Sequence, residues 1–400
     1  MRISSTQMNQ QGISAILEQQ AQLSKTQLQL STGRRVVTPA DDPAASAQAL
    51  GLTQAVTGTQ QYQTNIDVAQ GRLSLEEGVL GGAGDLLQNV RVLALQANNA
   101  TLSNSDRTAI ANEVRQRLDE LLALANSRDA GGEYLFAGYK GQTQPFSQNS
   151  SGGFIYNGDQ GQRYLQIGPT RQIAVSDSGT DVFQAIRNGN GAFTTQDNAA
   201  NTGSGIINTG TVVNPAAYQA HNFTITFTSA TTFDVVNNTT STTILSAQPY
   251  TSGAAISFNG IQTAVTGAPA TGDSFAVSPS ANQDIFTTLQ NLANALAAPV
   301  TGGSTARLNN AANRSLTDID QALGNILDVR AKVGGRLNAV ESQKNINDGF
   351  ALLAKTSLSK LQDLDYSEAA SRLNLQLTAL QAAQQAFVKV QNLSLFNFLR

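Results

Sequence analysis

Apolar residues recur every third or fourth position at both ends of this chain and lose that rhythm in its middle. Near the N-terminus, Ile13, Ile16, Leu17, Leu23, Leu28 and Leu30 sit among glutamines. Ile16, Leu23 and Leu30 stand seven apart, the spacing of a coiled-coil-like helix. Gly33 follows as a C-cap. Asp42 before Pro43 then reads as an N-cap followed by a proline in the first helical position. The pattern predicts one long helix from Pro43 to about Ala100, with a seam through Tyr62, Ile66, Ala69, Leu73, Glu76, Leu80, Ala83, Leu87, Val90, Ala94 and Ala97. After a Ser/Asn turn at Ser103–Ser105, a third helix carries Ile110, Val114, Leu118, Leu121, Leu122 and Ala125 and ends before Gly131.

From Tyr134 to Ser280 the texture changes. Gly, Asn, Ser and Thr crowd in, and short strand-like runs appear at 154–156, 164–167, 223–227, 232–236, 255–258 and 274–277. Phe223, Ile225 and Phe227 alternate with threonines, as half-buried strands do. The stretch 192–208 reads as a Gly/Asn/Thr linker. Helical pattern resumes at Ile285, Leu289, Leu292 and Leu296 and breaks at Pro299–Gly303. It then runs to about Leu364 with a 3.5-residue repeat through Leu316, Ile319, Leu323, Ile326, Arg330, Val333, Leu337 and Val340. A helix of about 55 residues extends about 80 Å. Asp365 or Ser367 caps a last helix over roughly 370–400.

That last helix is apolar around most of its circumference. Leu373, Leu377, Leu380 and Phe387 follow the seam, whereas Leu375, Val388 and Leu395 lie off it, so one partner helix does not cover them all. Its glutamines keep any apolar run below the roughly 18 residues that span a bilayer, and a membrane location is not expected. Fixing each residue's backbone costs about 1–2 kcal/mol, and isolated helices of this kind are marginal. Burying each Leu or Phe returns about 1.5–3 kcal/mol, provided neighbours surround the helix. The candidate assembly residues are therefore Ile13, Ile16, Leu23 and Leu30 with Leu373, Leu377, Leu380, Phe387, Leu395, Phe396 and Leu399. The alternative for the N-terminal set is an ordinary intramolecular core.

The predicted architecture is mainly α with a β-rich insert. Long coiled-coil-like helices from both termini form a rod, and a β-rich outer domain occupies the middle of the chain. The expected divisions are a terminal assembly domain (1–42 plus 365–400), a helical rod domain (43–140 plus 284–364) and the outer domain (141–283), with two modules split near 192–208 as its alternative.

Composition narrows the function. Charged residues make up 13% of the chain, against roughly a quarter in ordinary soluble domains. With a net charge of −3 and no basic block, nothing points to nucleic acid. The chain has no cysteine and one histidine, His221, which leaves no zinc ligand set and no catalytic partner for it. The glycines at 81–84 lack the Lys-Ser/Thr of a phosphate loop and follow no strand, so close helix approach or a kink is the better reading. Capping explains Asp41, Asp42, Asp363 and Asp365 without a metal. No cofactor is expected, and no enzymatic activity. The first residues, MRISSTQMNQQ, lack the apolar core of a secretory signal peptide.

Several segments carry a resemblance to the bacterial flagellin family. Gln29–Leu50, QLSTGRRVVTPADDPAASAQAL, is similar to its N-terminal L-S-[ST]-G segment, and GGRLNAVES, LQDLDYSEAASRL and the final LFNFL are similar to its closing helices. Gly132–Lys140, GEYLFAGYK, with Pro145–Phe146 resembles the lead into the outer domain of hook–filament junction proteins. Gly267–Ser280, GAPATGDSFAVSPS, is similar to a stretch of hook-associated proteins.

The resemblance implies a structural junction adaptor at the bacterial flagellum, exported unfolded through the type III channel without a cleaved signal. Its implied partners are hook-associated protein 1 on the hook side, flagellin on the filament side, copies of itself in a ring, and an export chaperone before secretion. The alternatives are a self-polymerising filament flagellin and, from another class, a surface adhesin with a coiled-coil stalk.

Overall fold

The computed structural model describes residues 5–99, 102–150, 152–300 and 305–392. The helices are α1 (Ser5–Thr32), α2 (Pro43–Ala97), α3 (Asn104–Ala125), α4 (Ile285–Ala297), α5 (Thr305–Gln362) and α6 (Tyr366–Asn392), with the β-rich part between α3 and α4. The chain divides into two compact units, one of residues up to Thr64 with those from Gln343 on, the other of Asn65–Ser342.

In the second unit the seam read from sequence is the buried face of α2. Ile66, Ala69, Leu73, Leu80, Leu87 and Val90 pack with Ile110, Val114 and Leu121 of α3, Leu289 and Leu292 of α4, and Ile319, Ile326 and Val333 of α5. Ser103 starts α3 with a capping box. Its hydroxyl accepts from the Asp106 N–H at 3.2 Å, and the Asp106 carboxylate accepts from the Ser103 N–H at 3.1 Å. α2 runs unbroken through Gly81–Gly84. A methyl on Gly82 would stand 3.7 Å from Leu124 and one on Gly84 3.9 Å from Ile326, ordinary contact distances.

Beyond α3 come two small antiparallel hairpins, β1 (Phe146–Gln148) with β2 (Phe154–Tyr156) and β3 (Tyr164–Gln166) with β4 (Gln172–Ala174). The GEYLFAGYK motif lies here, and its work is packing. Phe136 meets Phe183 edge-on at 5.2 Å, and Phe146 meets Phe183 at 5.6 Å and Phe286 of α4 at 5.0 Å. A one-turn π-helix, Thr180–Gln184, and the strand β5 (Ile186–Arg187) lead outward, and β15 (Asn282–Gln283) returns antiparallel beside β5.

Between them lie two antiparallel sheets with their own core. In one sheet the strand order is Thr242–Pro249 (β11), Thr232–Asn237 (β10), Phe223–Ser229 (β9), Ser274–Pro279 (β14) and Phe193–Asp197 (β6). The other joins Ala255–Phe258 (β12), Ile261–Thr266 (β13) and Ile206–Ile207 (β7), with Thr211–Val212 (β8) also on β13. Phe223, Ile225 and Phe227 point inward as the alternation predicts, against Phe233, Val235, Phe275 and Val277. The reading of 192–208 as a linker is corrected: it holds β6 and β7. Thr195 of β6 pairs with Val277 of β14, a partner so distant in sequence that local composition cannot announce the strand.

Candidate assembly surface

In the first unit α1 and α6 lie against one another. Apolar positions seven apart on each helix are the half-buried ones, and the seam position Leu377 is not among them. Ile16, Leu23 and Leu30 on α1 and Leu373, Leu380 and Phe387 on α6 are half-buried, whereas Ile13 and Leu377 are exposed. At Gly12 a Cβ would stand 2.8 Å from Cδ2 of Phe387. Leu395, Phe396 and Leu399 lie outside the described residues.

The two helix ends are stitched by backbone. Gly33, in the left-handed region at φ +69°, offers its carbonyl to the Leu364 N–H at 3.0 Å, and the Arg35 N–H donates to the Gln362 carbonyl at 2.7 Å. Asp42 caps α2 by accepting the Ala45 N–H at 2.9 Å, and Asp365 caps α6 by accepting the Ser367 N–H at 2.9 Å. Asp41 pairs with Lys25 at 2.7 Å and accepts the Thr38 N–H at 2.8 Å. Lys25 first and that N–H second hold its carboxyl well below the usual range. Each acid at these helix starts thus has a capping or pairing role.

What this unit lacks is a core. Among its described residues the buried apolar side chains are Ala45, Ala49, Ala354, Leu364 and Ala369. Leu375 is 70% exposed and Val388 55%, the off-seam positions that a single partner helix fails to cover. α5 adds an exposed stripe, Ile346, Phe350 and Leu353, spaced four and three apart and legible as a helix face, which the sequence reading passed over by ending its repeat at Val340. An open, largely apolar groove of about 600 Å³ runs along Gly51, Leu52, Ser357 and Leu361.

The second unit holds the most perturbed titratable group. Glu76, on the buried seam of α2 and 1% exposed, accepts the Asp177 N–H at 3.1 Å. Its carboxyl is pushed up to about 8 by burial first and the Asp177 charge second. Arg336 grips Asp177 with two bonds of 2.8 and 2.9 Å. Arg72 reaches Asp129 at 3.0 Å and Glu133 at 3.2 Å, and Glu133 also pairs with Arg163. Three arginines and three acids balance when Glu76 is neutral. His221 is spent on structure, its Nδ1 accepting from Asn237 Nδ2 at 3.0 Å. No cluster of metal-ligating side chains occurs among the described residues, and no helix there is long and apolar enough to cross a membrane.

This architecture has relatives. The bacterial flagellin N-terminal helical region matches residues 3–141, and the C-terminal helical region matches 316–399. Flagellar hook-associated protein 3 of Escherichia coli (strain K12) is 30% identical over 398 residues, 99% of this chain and 99% of that protein. The chain belongs to the flagellar hook-associated protein 3 family, within the bacterial flagellins.

The family places the chain in the flagellum, with a structural role at the hook–filament junction. The crystal structure of flagellar hook-associated protein 3 from Legionella pneumophila superposes with a TM-score of 0.75 at 36% identity, covering 78% of this chain and 98% of that one. Residues 196–279, nearly the whole two-sheet region, match the D2-like domain of flagellar hook-associated protein 1, the kinship that the GAPATGDSFAVSPS stretch suggested. Flagellin 1 of Proteus mirabilis is 35% identical, over only 28% of this chain. The resemblance to the family, the fold class and the junction role read from sequence therefore stand.

Proposed function

We propose that the chain is the adaptor ring between hook-associated protein 1 and the flagellin filament. The observation that carries this reading is the terminal unit, which buries four alanines and one leucine among its described apolar residues and leaves Leu375, Val388, Leu353 and Phe350 to water. Apolar surface on that scale gains stability only when other chains cover it. The residues that meet those chains are Ile13, Ile16, Leu23 and Leu30 with Leu373, Leu377, Leu380 and Phe387, joined by Leu395, Phe396 and Leu399; residues 1–42 with 365–400 form the assembly domain. Copies of the same chain close the ring, hook-associated protein 1 meets one side and flagellin the other. Before secretion through the type III channel an export chaperone covers the same helices.

The order of assembly tests it. A strain lacking the chain is expected to carry hooks without filaments and to lose flagellin monomer to the medium. The wild-type chain restores filaments, and the exposed-seam variant Leu377→Asp does not. Growth of long filaments from the purified chain alone would transfer the assignment to a filament flagellin, a reading already disfavoured by the short flagellin match.

A further inference from the structure

The outer β domain and the helices it rises from do not share an apolar core. The helical core takes in residues up to Ile186 and resumes at Ile285, while the outer core begins at Phe193 and ends at Val277. Mostly polar groups line the space between. A cavity of about 370 Å³ there is lined by Asn188, Thr194, Gln283, Asn291, Arg314 and Asp318.

One face of α5 crosses this joint. Asn310, buried, donates from Nδ2 to the Gly205 carbonyl at 3.1 Å and accepts the Ile207 N–H on Oδ1 at 2.9 Å. Arg314 stands 3.7 Å from Asp197. Asp318, also buried, accepts the Gly189 N–H at 2.7 Å. Asn325 donates to the carbonyls of Asp181 and Val182, each at 2.9 Å. Arg336 closes the series on Asp177. At 3.6 residues per turn, positions 310, 314, 318, 325 and 336 fall in a sector of about 80°. Their partners run in the opposite order, from 207 down to 177. The segment from 177 to 207, which leads into the outer domain and begins it, thus runs in the opposite sense to α5, met by one polar side chain after another.

We infer that Asn310, Arg314, Asp318, Asn325 and Arg336 form a polar ladder that sets the register of residues 177–207 on α5 and thereby the pose of the outer β domain. Apolar packing is non-directional, so two cores meeting through apolar side chains would tolerate a slide. Hydrogen bonds to particular backbone groups do not, because one residue of slip leaves a buried amide or carboxylate unpaired. The five are positioning residues. On a helix read from sequence they pass for a solvated face.

Because the chain has no cysteine, two spin labels can be placed cleanly, at Ala230→Cys in the turn between β9 and β10 and at Gln116→Cys on α3. The full-length protein is expected to give one narrow distance distribution. Adding Asn310→Ala with Asp318→Ala should at least double its width and raise the hydrogen-exchange rates of the Gly189 and Ile207 amides tenfold or more, with the Ile225 and Val235 amides as protected as before. Asp318→Asn alone, which keeps an acceptor oxygen for the Gly189 N–H, should keep the distribution narrow. An unchanged distribution in the double variant would overturn the inference. So would equal loss of protection at Ile225 and Val235, since the five side chains would then be part of what folds the outer domain.

Discussion

The ring of Phe387 on α6 rests on Gly12 of α1, with Cδ2 of the ring 2.8 Å from where a Cβ would be. Glycine in a helix costs roughly 0.5–1 kcal/mol relative to alanine, so its presence in α1 is an expense that the ring's seat explains. Gly12→Val is expected to push the ring outward, raise hydrogen exchange along α1 and α6, and reduce swimming in soft agar, with the melting of residues 65–342 unchanged. Gly71 of α2, whose Cβ would meet nothing within 4 Å, is the control. Gly71→Ala should stabilise by about 0.5–1 kcal/mol. Normal motility in Gly12→Val would show that the Phe387 contact is dispensable.

Glu76 makes the helical unit sensitive to pH. The ordinary carboxyl titrates near 4.5, and in the fold this one titrates at about 8. Between those values the unfolded chain gives up the proton and the folded chain keeps it. Stability is therefore full below about 4.5 and is lost as pH rises, by about 1.4 kcal/mol per unit, until the loss levels off above about 8. Thermal unfolding followed from pH 5 to 9 should show the decline, and Glu76→Gln should remove most of it. Asp197 and Asp318, both raised by burial, contribute with the same sign. An identical pH profile in Glu76→Gln would mean that the carboxyl is already ionised in the fold.

Long helices were legible because their information is local. The Ile66–Ala97 seam repeats often enough to fix one face, and Asp42–Pro43 and Asp365 announce helix starts through side chains that bond the nearest free N–H groups. β9 was legible for the same reason, Phe223, Ile225 and Phe227 marking one face by alternation. β6 and β7 were not, because Thr194 to Asp197 become a strand only through β14. Glu76 was read as one more seam position, and nothing in its neighbours in sequence signals Asp177 above it. On the terminal helices, the off-seam places of Leu375 and Val388 foretold their exposure. The α5 stripe from Ile346 to Leu353 carried an equally plain signal.

Phe286 is the keystone of the aromatic cluster under the outer domain. It is fully buried and lies 5.0 Å from Phe146, 5.2 Å from Phe154 and 5.9 Å from Phe183. Its partners come from β1, β2 and the π-helical turn, so a cavity at its place has walls on three elements that cannot all close in. Phe286→Ala should cost about 3–5 kcal/mol, and Phe286→Leu roughly 1–1.5 kcal/mol, read from denaturant unfolding. Equal losses for the two would indicate that the site collapses around whatever side chain it is given.

Gly138 and Gly132 separate two costs that glycine replacement usually mixes. Both have positive φ, +67° and +80°. Nothing lies within 4 Å of a Cβ on Gly132, whereas one on Gly138 would run into the carboxylate and the backbone carbonyl of Asp159. Asp159 cannot retreat, because its Oδ1 accepts the Tyr139 N–H at 2.9 Å and the Gly161 N–H at 2.8 Å, bonds that also hold its carboxyl below the ordinary range. Gly132→Ala should therefore show the left-handed penalty alone, about 1–2 kcal/mol. Gly138→Ala should exceed it by a further 1–3 kcal/mol as the loop is forced off Asp159, with raised exchange at the Tyr139 and Gly161 amides. Matching losses in the two variants would mean that the loop carrying Asp159 yields freely.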